Sequence, residues 1–247
     1  MDKALYIAGA GGKEIMLAQA RNANNLANAN TVGFKEDIAY AQSLQVNGPG
    51  YDSRAYMLTK GVGADYSPGA VMTTGRELDV TINGNGWLAV QGMDGNEAYT
   101  RAGDLRVSPS GLLTTAAGHP VMGNNAGPIT IPPYDKLEIG ADGTVSIVPK
   151  GQEPNTMAVI DRIKLVKPQN DQMAKGMDGL FRMKDGTQAA ADGAISLISG
   201  SLESSNVNVV KSMVSMMELA RKFQTQVKVM ETANEMSGAS QQLLKMQ

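Results

Sequence analysis

The sequence has no cysteine and one histidine in 247 residues. Without cysteine there are no disulfides, thiol nucleophiles or thiolate metal sites. The lone His119 sits in Gly118-His119-Pro120 on an apparent turn, with no second His to complete a metal site or nucleophilic triad. Aromatics are scarce, at three Phe, seven Tyr and one Trp, too few to line an extended ligand cleft. No excess of basic charge exists either. The net charge is −2 and the isoelectric point about 5.5, so nothing holds nucleic acid or an anionic membrane by counterion release. No run of eighteen apolar residues is present, and no membrane insertion is expected.

Other catalytic signatures are equally thin. The Asp-Gly pairs never gather into the alternating carboxylates of a calcium loop. Gly61-Val62-Gly63 and Gly84-Asn85-Gly86 do not continue into a phosphate-binding glycine pattern. Glu77 and Asp79 lie at i and i+2, which more often makes a solvated strand face than a catalytic pair. Neither metal, cofactor nor small-molecule substrate is expected, and the chain does not read as an enzyme. The opening Ala4 to Gly12 faintly resembles a signal peptide with Ala8-Gly9-Ala10 as cleavage site. Its apolar run is short and Asp2 spoils the basic start, so no cleaved leader is expected.

What is present lies at the two ends. Between Asn206 and Asn234, residues three and four apart are Asn206, Val209, Met213, Met216, Ala220, Phe223, Val227, Met230 and Asn234, seven of them apolar. A 3-4 seam kept for four heptads points to coiled-coil-like packing, over a length of about 43 Å. Val207, Val210, Val214, Met217 and Leu219 lie off that seam and widen the apolar stripe beyond the footprint of one partner. Six of sixteen Met follow position 210, and Met adapts to irregular surroundings. From periodicity alone, a core helix of a globular domain is the other reading.

Near the start, Met16, Ala20, Ala23 and Ala27 repeat the spacing with mostly small residues, which suits pairing with the larger C-terminal seam. Five Asn between 22 and 30, with Gly9, Gly11 and Gly12 before them, make this a weak helix by itself. Gly33 offers the positive φ that ends a helix, with Phe34 folding back on its last turn. The middle is different. Leu78, Val80 and Ile82 alternate with polar residues, then Asn83-Gly84-Asn85-Gly86 leads into Trp87-Leu88-Ala89-Val90, which predicts a hairpin. Asp94-Gly95, Asp142-Gly143, Asp178-Gly179, Asp185-Gly186 and Asp192-Gly193 mark further turns. Ile129-Thr130-Ile131 and Thr144 to Val148 read as strands, and this turn spacing implies an antiparallel sandwich or barrel.

The expected fold is therefore α+β, with N- and C-terminal helices paired in a coiled-coil-like layer and a central, mainly antiparallel β domain. Residues 1–35 with 205–247 make a discontinuous helical assembly domain, 36–75 and 185–204 an irregular or β connector, and 76–184 the β domain.

Asn25-Leu26-Ala27-Asn28 followed by Thr31-Val32-Gly33-Phe34-Lys35 looks like the N-terminal signature of bacterial flagellar rod and hook proteins. Leu202-Glu203-Ser204-Ser205-Asn206-Val207-Asn208, continuing to Met213, Met217, Arg221 and Phe223, looks like their C-terminal signature. Arg76-Glu77-Leu78-Asp79-Val80, Gly86 to Gln91 and Tyr99-Thr100-Arg101-Ala102-Gly103 extend the resemblance over nearly the whole chain. Trp87, Gly127-Pro128-Ile129 and Asp178 to Arg182 look most like subunits of the proximal rod; distal-rod subunits are the near alternative. The resemblance implies a structural subunit in the rod of the basal body, crossing the periplasm. Its partners would be copies of itself, other rod proteins and the flagellar type III export apparatus, which moves it without a cleaved signal peptide. It places assembly on Asn25, Leu26, Ala27, Asn28, Thr31, Gly33 and Phe34, and on the C-terminal seam with Met217. From another class, a β-fold glycan hydrolase or a glycan-binding module with helical arms competes with that reading.

Neither end carries enough local propensity to persist alone in water. Both are expected to be largely disordered in a dilute monomer and to fold on assembly. Hydrogen exchange reads this directly: fast exchange is expected at residues 15–29 and 208–234, and strong protection there in a dilute monomer contradicts it.

Overall fold

The computed structural model describes residues 3–45, 55–125, 127–153 and 156–245. The chain divides into two compact units, one drawn from 1–29, 36–65 and 207–247 and the other from 30–35 and 66–206. Residues 36–75 are thus shared between the two.

The first unit holds α1 (Lys3–Ala27), β1 (Asp37–Gln45), β2 (Ala55–Ala64) and α2 (Val209–Lys245). β1 and β2 form an antiparallel hairpin with Asp37 opposite Ala64 and a bulge at Tyr40/Ala41. The Asn25 amide starts this hairpin, accepting from the Asp37 N–H at 2.8 Å and donating to the Asp37 carbonyl at 3.0 Å. Glu14 of α1 accepts a hydrogen bond from the Thr59 hydroxyl of β2. α2 begins because Asn208 caps it, its Oδ1 accepting from the Lys211 N–H at 3.0 Å.

The two helices run antiparallel. Asn22 Nδ2 donates to the Ser212 carbonyl at 2.7 Å and Gln226 Nε2 to the Ala8 carbonyl at 3.1 Å, so position falls along one helix as it rises along the other. This explains one of the glycines that looked so unfavourable. A Cβ at Gly11 would stand 2.7 Å from Gln226 Nε2, so a bare backbone there is what lets Gln226 reach its acceptor. Each helix supplies the other with tertiary packing that neither sequence has alone.

The packed face of α2 takes in part of the expected seam. On α2 the side chains withdrawn from solvent include Ser212, Met216, Leu219, Ala220, Phe223, Gln226, Val227, Met230 and Ala233, whereas Val209, Met213 and Asn234 are exposed and Asn206 precedes the helix. On α1, Met16, Ala20, Ala23 and Ala27 are exposed, while Ala8, Gly12 and Asn22 lie on the inner side. Small and amide-bearing residues share the inner face with these apolar side chains because they permit close approach and hydrogen bonds to the opposing helix, a preference that counting apolar residues does not detect. α1 also ends at Ala27, six residues before Gly33, so Gly33 and Phe34 are not its cap.

Among the described residues the regular structure of the second unit is β apart from a 3-10 turn at Asn170–Gln172. Its strands are β3 (Val71–Thr73), β4 (Val80–Asn83), β5 (Trp87–Gln91), β6 (Glu97–Thr100), β7 (Leu105–Val107), β8 (Leu113–Thr115), β9 (Tyr134–Ile139), β10 (Thr144–Pro149), β11 (Ala158–Arg162), β12 (Leu165–Val166), β13 (Met173–Lys175), β14 (Phe181–Met183), β15 (Ser196–Ser199) and β16 (Ser201–Glu203). A five-stranded sheet runs β12-β5-β6-β14-β13 and a three-stranded one β11-β10-β9, beside the pairs β15-β4, β16-β3 and β7-β8. Every named pair in this unit is antiparallel. One apolar cluster, including Val80, Leu88, Val90, Leu105, Leu113, Val121, Ile147 and Ile163, fills the interior.

Both strands of the expected hairpin at Asn83–Gly86 exist, but they do not pair with each other. β4 lies against β15, with Ile82 opposite Leu197, while β5 joins β6 and β12. Val80, Thr81 and Ile82 are all buried, as are Trp87 to Val90, so each strand is covered on both faces and the two-residue alternation of a half-exposed hairpin does not apply. Ile129 and Ile131 are buried without forming a strand; Thr130 has only an isolated pairing with Leu112.

All five Asp-Gly sites are turns in which the aspartate carboxylate accepts the N–H two residues on, at Asn96, Thr144, Leu180, Thr187 and Ala194. Two share one tetrapeptide, Gly92-Met93-Asp94-Gly95 between β5 and β6 and Gly176-Met177-Asp178-Gly179 between β13 and β14. Arg182 of β14 clips them together, with Nη2 at 2.7 Å from Asp178 and 3.4 Å from Asp94. A Cβ at Gly92 or Gly176 would stand 2.7 or 2.8 Å from the guanidinium. The Arg182 hydrogen bond holds the Asp178 carboxyl below its usual range despite partial burial. Because this cluster is partly exposed, Arg182→Ala should lower the unfolding free energy by only about 0.2–1 kcal/mol, measured by urea titration at neutral pH.

Candidate assembly site

The residues expected to mediate assembly fall in two places. In the first unit, Asn25 is buried against the start of β1, Leu26 is half-buried and Ala27 exposed at the end of α1. Asn28 Nδ2 returns to the Asn24 carbonyl at 2.9 Å. Of the C-terminal set, Met216, Ala220, Phe223, Val227 and Met230 are half-buried. Val209, Met213 and Met217 face solvent, beside Val210 at 72 % and Val214 at 45 % exposure. The expected excess of apolar surface in the first half of α2 is therefore an outward stripe of Val209, Val210, Met213, Val214 and Met217. Leu5, Tyr6, Met16 and Leu17 are the exposed large apolar side chains of α1. A single chain leaving this much apolar helix surface in water has the character of an interaction face.

In the second unit the remaining signature residues meet. Gly33 N–H donates to the Glu203 carbonyl at 2.8 Å and Asn206 N–H to the Phe34 carbonyl at 3.3 Å, so the N- and C-terminal signatures lie side by side. Gly33 has φ +67°, and a Cβ there would come within 2.2 Å of the Arg101 carbonyl carbon. Phe34 lies under Lys175, whose Nζ is 3.8 Å from the ring centre and donates to the Lys35 carbonyl at 2.7 Å. Thr31 is exposed, and Asn206 Nδ2 reaches the Ser67 carbonyl at 3.2 Å.

At the centre is a group that residue spacing did not single out. The Glu203 carboxylate, on β16, pairs with Lys35 at 2.6 Å and Arg101 at 2.9 Å, and accepts the Gly69 N–H at 2.9 Å. Lys35 also donates to the Ser67 carbonyl at 2.7 Å and Arg101 to the Gly84 carbonyl at 2.8 Å. All three charged residues are withdrawn from water, at 1 %, 2 % and 6 % exposure for Lys35, Glu203 and Arg101. Burial by itself raises the Glu203 carboxyl. The Lys35 hydrogen bond, the Gly69 N–H and the charges of Arg101 and Lys35 outweigh it, and the group lies below its usual range. The available signal was that each of three signature stretches contains one oppositely matched charge. Only the long-range pairing, invisible in a linear pattern, makes them a set.

The arrangement holds and orients. Among the described residues no cluster of three or more His, Asp or Glu is placed to bind a metal. His119 lies on the turn after β8, its N–H on the Thr115 hydroxyl. Glu77 is exposed while Asp79 is buried and accepts from the Thr74 hydroxyl at 2.7 Å, so the two do not act as a pair.

Residues 198–243 match the family model described as the flagellar basal body rod FlgEFG protein C-terminal, and residues 81–147 the flagellar hook protein FlgE/F/G D1 domain. The chain is 42 % identical to the flagellar basal-body rod protein FlgF of Salmonella typhimurium and 41 % identical to that of Escherichia coli, with all of each chain covered. It is 32 % identical to the flagellar basal-body rod protein FlgG of Bacillus subtilis over 95 % of this chain and 96 % of that protein.

Removing the central carboxylate would leave two cations buried. Glu203→Gln should cost about 3–5 kcal/mol in urea unfolding followed through the single tryptophan, Trp87. Because the folded carboxyl is lowered, its contribution is complete above the usual value of about 4.3 and is lost as pH falls through the lower folded value. The gap between wild type and variant should therefore close on acidification, not on raising the pH.

Proposed function

The chain belongs to the family of flagellar basal-body rod proteins that includes FlgF and FlgG, and we propose that it is a structural subunit of the bacterial flagellar rod, in its proximal segment. The observation that carries the assembly reading is the outward apolar stripe of α2, at one of the two ends where the family signatures lie. Repeating one such heterologous contact with a rotation that does not close builds a helical tube. In that tube α1 and α2 pack coiled-coil-fashion, and torque passes from motor to hook through many simultaneous contacts. The neighbours are copies of this chain and other rod proteins. The flagellar export apparatus delivers it across the inner membrane without a cleaved signal peptide, and it catalyses nothing.

Mass spectrometry of detergent-washed basal bodies from the source cell tests this reading. Retention with the rod at several copies is expected; a chain found only in the soluble fraction overturns it and reopens the glycan-hydrolase and glycan-binding readings. Substitutions separate assembly from folding. Met217→Asp, at a site 56 % exposed, should change urea stability by less than about 0.5 kcal/mol and still abolish incorporation. Met216→Asp and Phe223→Asp, on the half-buried side, should also block assembly while the β unit keeps its cooperative unfolding. Normal rods from these variants would count against the seam.

A further inference from the structure

We propose that Met213 and Met217 form a modification site, at which peroxide-class oxidants turn the outward stripe of α2 from apolar to polar and switch assembly off. The inference rests on the assembly role proposed above for that stripe. It starts from composition. The chain has sixteen methionines and no cysteine, so a peroxide meets thioethers with no thiol to intercept it.

Where those thioethers lie decides what oxidation does. Met122 and Met173 are buried in the β unit and closed to an oxidant arriving from water. Met213 and Met217 are 51 % and 56 % exposed. Four residues apart on α2, they stand one above the other, with about 5–6 Å between Cβ atoms. Val209, Val210 and Val214 surround them, all exposed and none carrying a polar side-chain atom. The pair is thus open to attack in a free chain and sits in a wholly apolar setting.

The reaction needs only the oxidant. The thioether sulfur attacks one oxygen of hydrogen peroxide, the O–O bond breaks and an S–O bond forms. The proton on the transferred oxygen passes to the departing one, which leaves as water; sulfur gives up two electrons and the peroxide takes them. The product sulfoxide is polar and accepts hydrogen bonds. While the stripe faces water it is solvated, and the packed face of α2 is untouched. Pressed against an apolar neighbour it loses that water, and the valines beside it offer no donor in exchange. Enzymatic reduction of methionine sulfoxide restores the thioether, which makes the change reversible.

Met93 and Met177, at the matched turns clipped by Arg182, supply the contrast. They are 89 % and 108 % exposed, open to the same oxidant, and outside the stripe. Oxidation there is expected to be silent.

Copies of the full chain per basal body are counted by quantitative mass spectrometry, from cells given hydrogen peroxide during rod growth and from untreated cells. Peptide mapping of the unassembled chain locates the sulfoxides. Peroxide should place sulfoxide on Met213 and Met217 and lower wild-type incorporation by about tenfold or more. M213L/M217L keeps the stripe apolar and cannot form a sulfoxide, so it should assemble equally with and without peroxide. M213Q/M217Q, uncharged and polar like the sulfoxide, should lose incorporation without any oxidant while keeping the wild-type urea midpoint. M93Q/M177Q should assemble normally. Equal loss of the leucine variant under peroxide, or normal assembly of M213Q/M217Q, overturns the switch and leaves the rod reading intact. Absence of the untreated wild type from basal bodies overturns the rod reading, and the switch with it.

Discussion

One carboxylate holds the β unit's most distant segments together. Glu203 pairs with Lys35, 168 residues away, and with Arg101, 102 residues away, and its main-chain carbonyl accepts from Gly33. A buried ionic group of this kind is seldom more stabilising than a well-packed hydrophobic set of the same volume. Its effect is to discriminate. Any arrangement that fails to bring residues 33–35, 67–69, 101 and 203 to one point leaves a charge buried and unpaired. The β sheets around it are assembled from strands as short as two or three residues, which specify their partners weakly by themselves. The ionic group supplies the register that such short ladders lack.

Local features of the fold were legible from local sequence. The Asp-Gly pairs announced turns because an aspartate can accept the N–H two residues ahead, and Thr144 to Val148 announced a strand by its β-branched run. The long C-terminal helix was legible from its periodicity. Partner choice was not. β4 and β5 look like neighbours across Asn83–Gly86, yet each is covered on both faces, and a strand buried twice carries no alternation from which to read its sheet. On α2 the inward Met216, Ala220, Phe223, Val227 and Met230 follow the expected spacing, while Ser212, Gln226 and Ala233 join them by close approach, which hydropathy does not record. The ion pairs of Glu203, and that of Arg182 with Asp94, escaped notice because those partners lie far off in sequence.

The helical pair inverts the usual amphipathic order over its first turns. The side of α2 that meets α1 carries Ser212, whose carbonyl accepts from the Asn22 side chain, and Gln226, which donates to the Ala8 carbonyl, whereas Val210, Met213, Val214 and Met217 point into water. An isolated protein gains nothing from that exchange. The polar inner contacts fix how the two helices meet, while the apolar outer stripe is the surface on which the proposed assembly rests, so orientation and affinity would be handled by different residues.

Ala8 and Gln226 touch across 218 residues of chain. A polypeptide made from its N-terminus must therefore be nearly finished before the helical pair can close, while all of residues 66–206 is already synthesised. The apolar stripe of α2 thus comes last in the chain, after every strand of the β unit has been made.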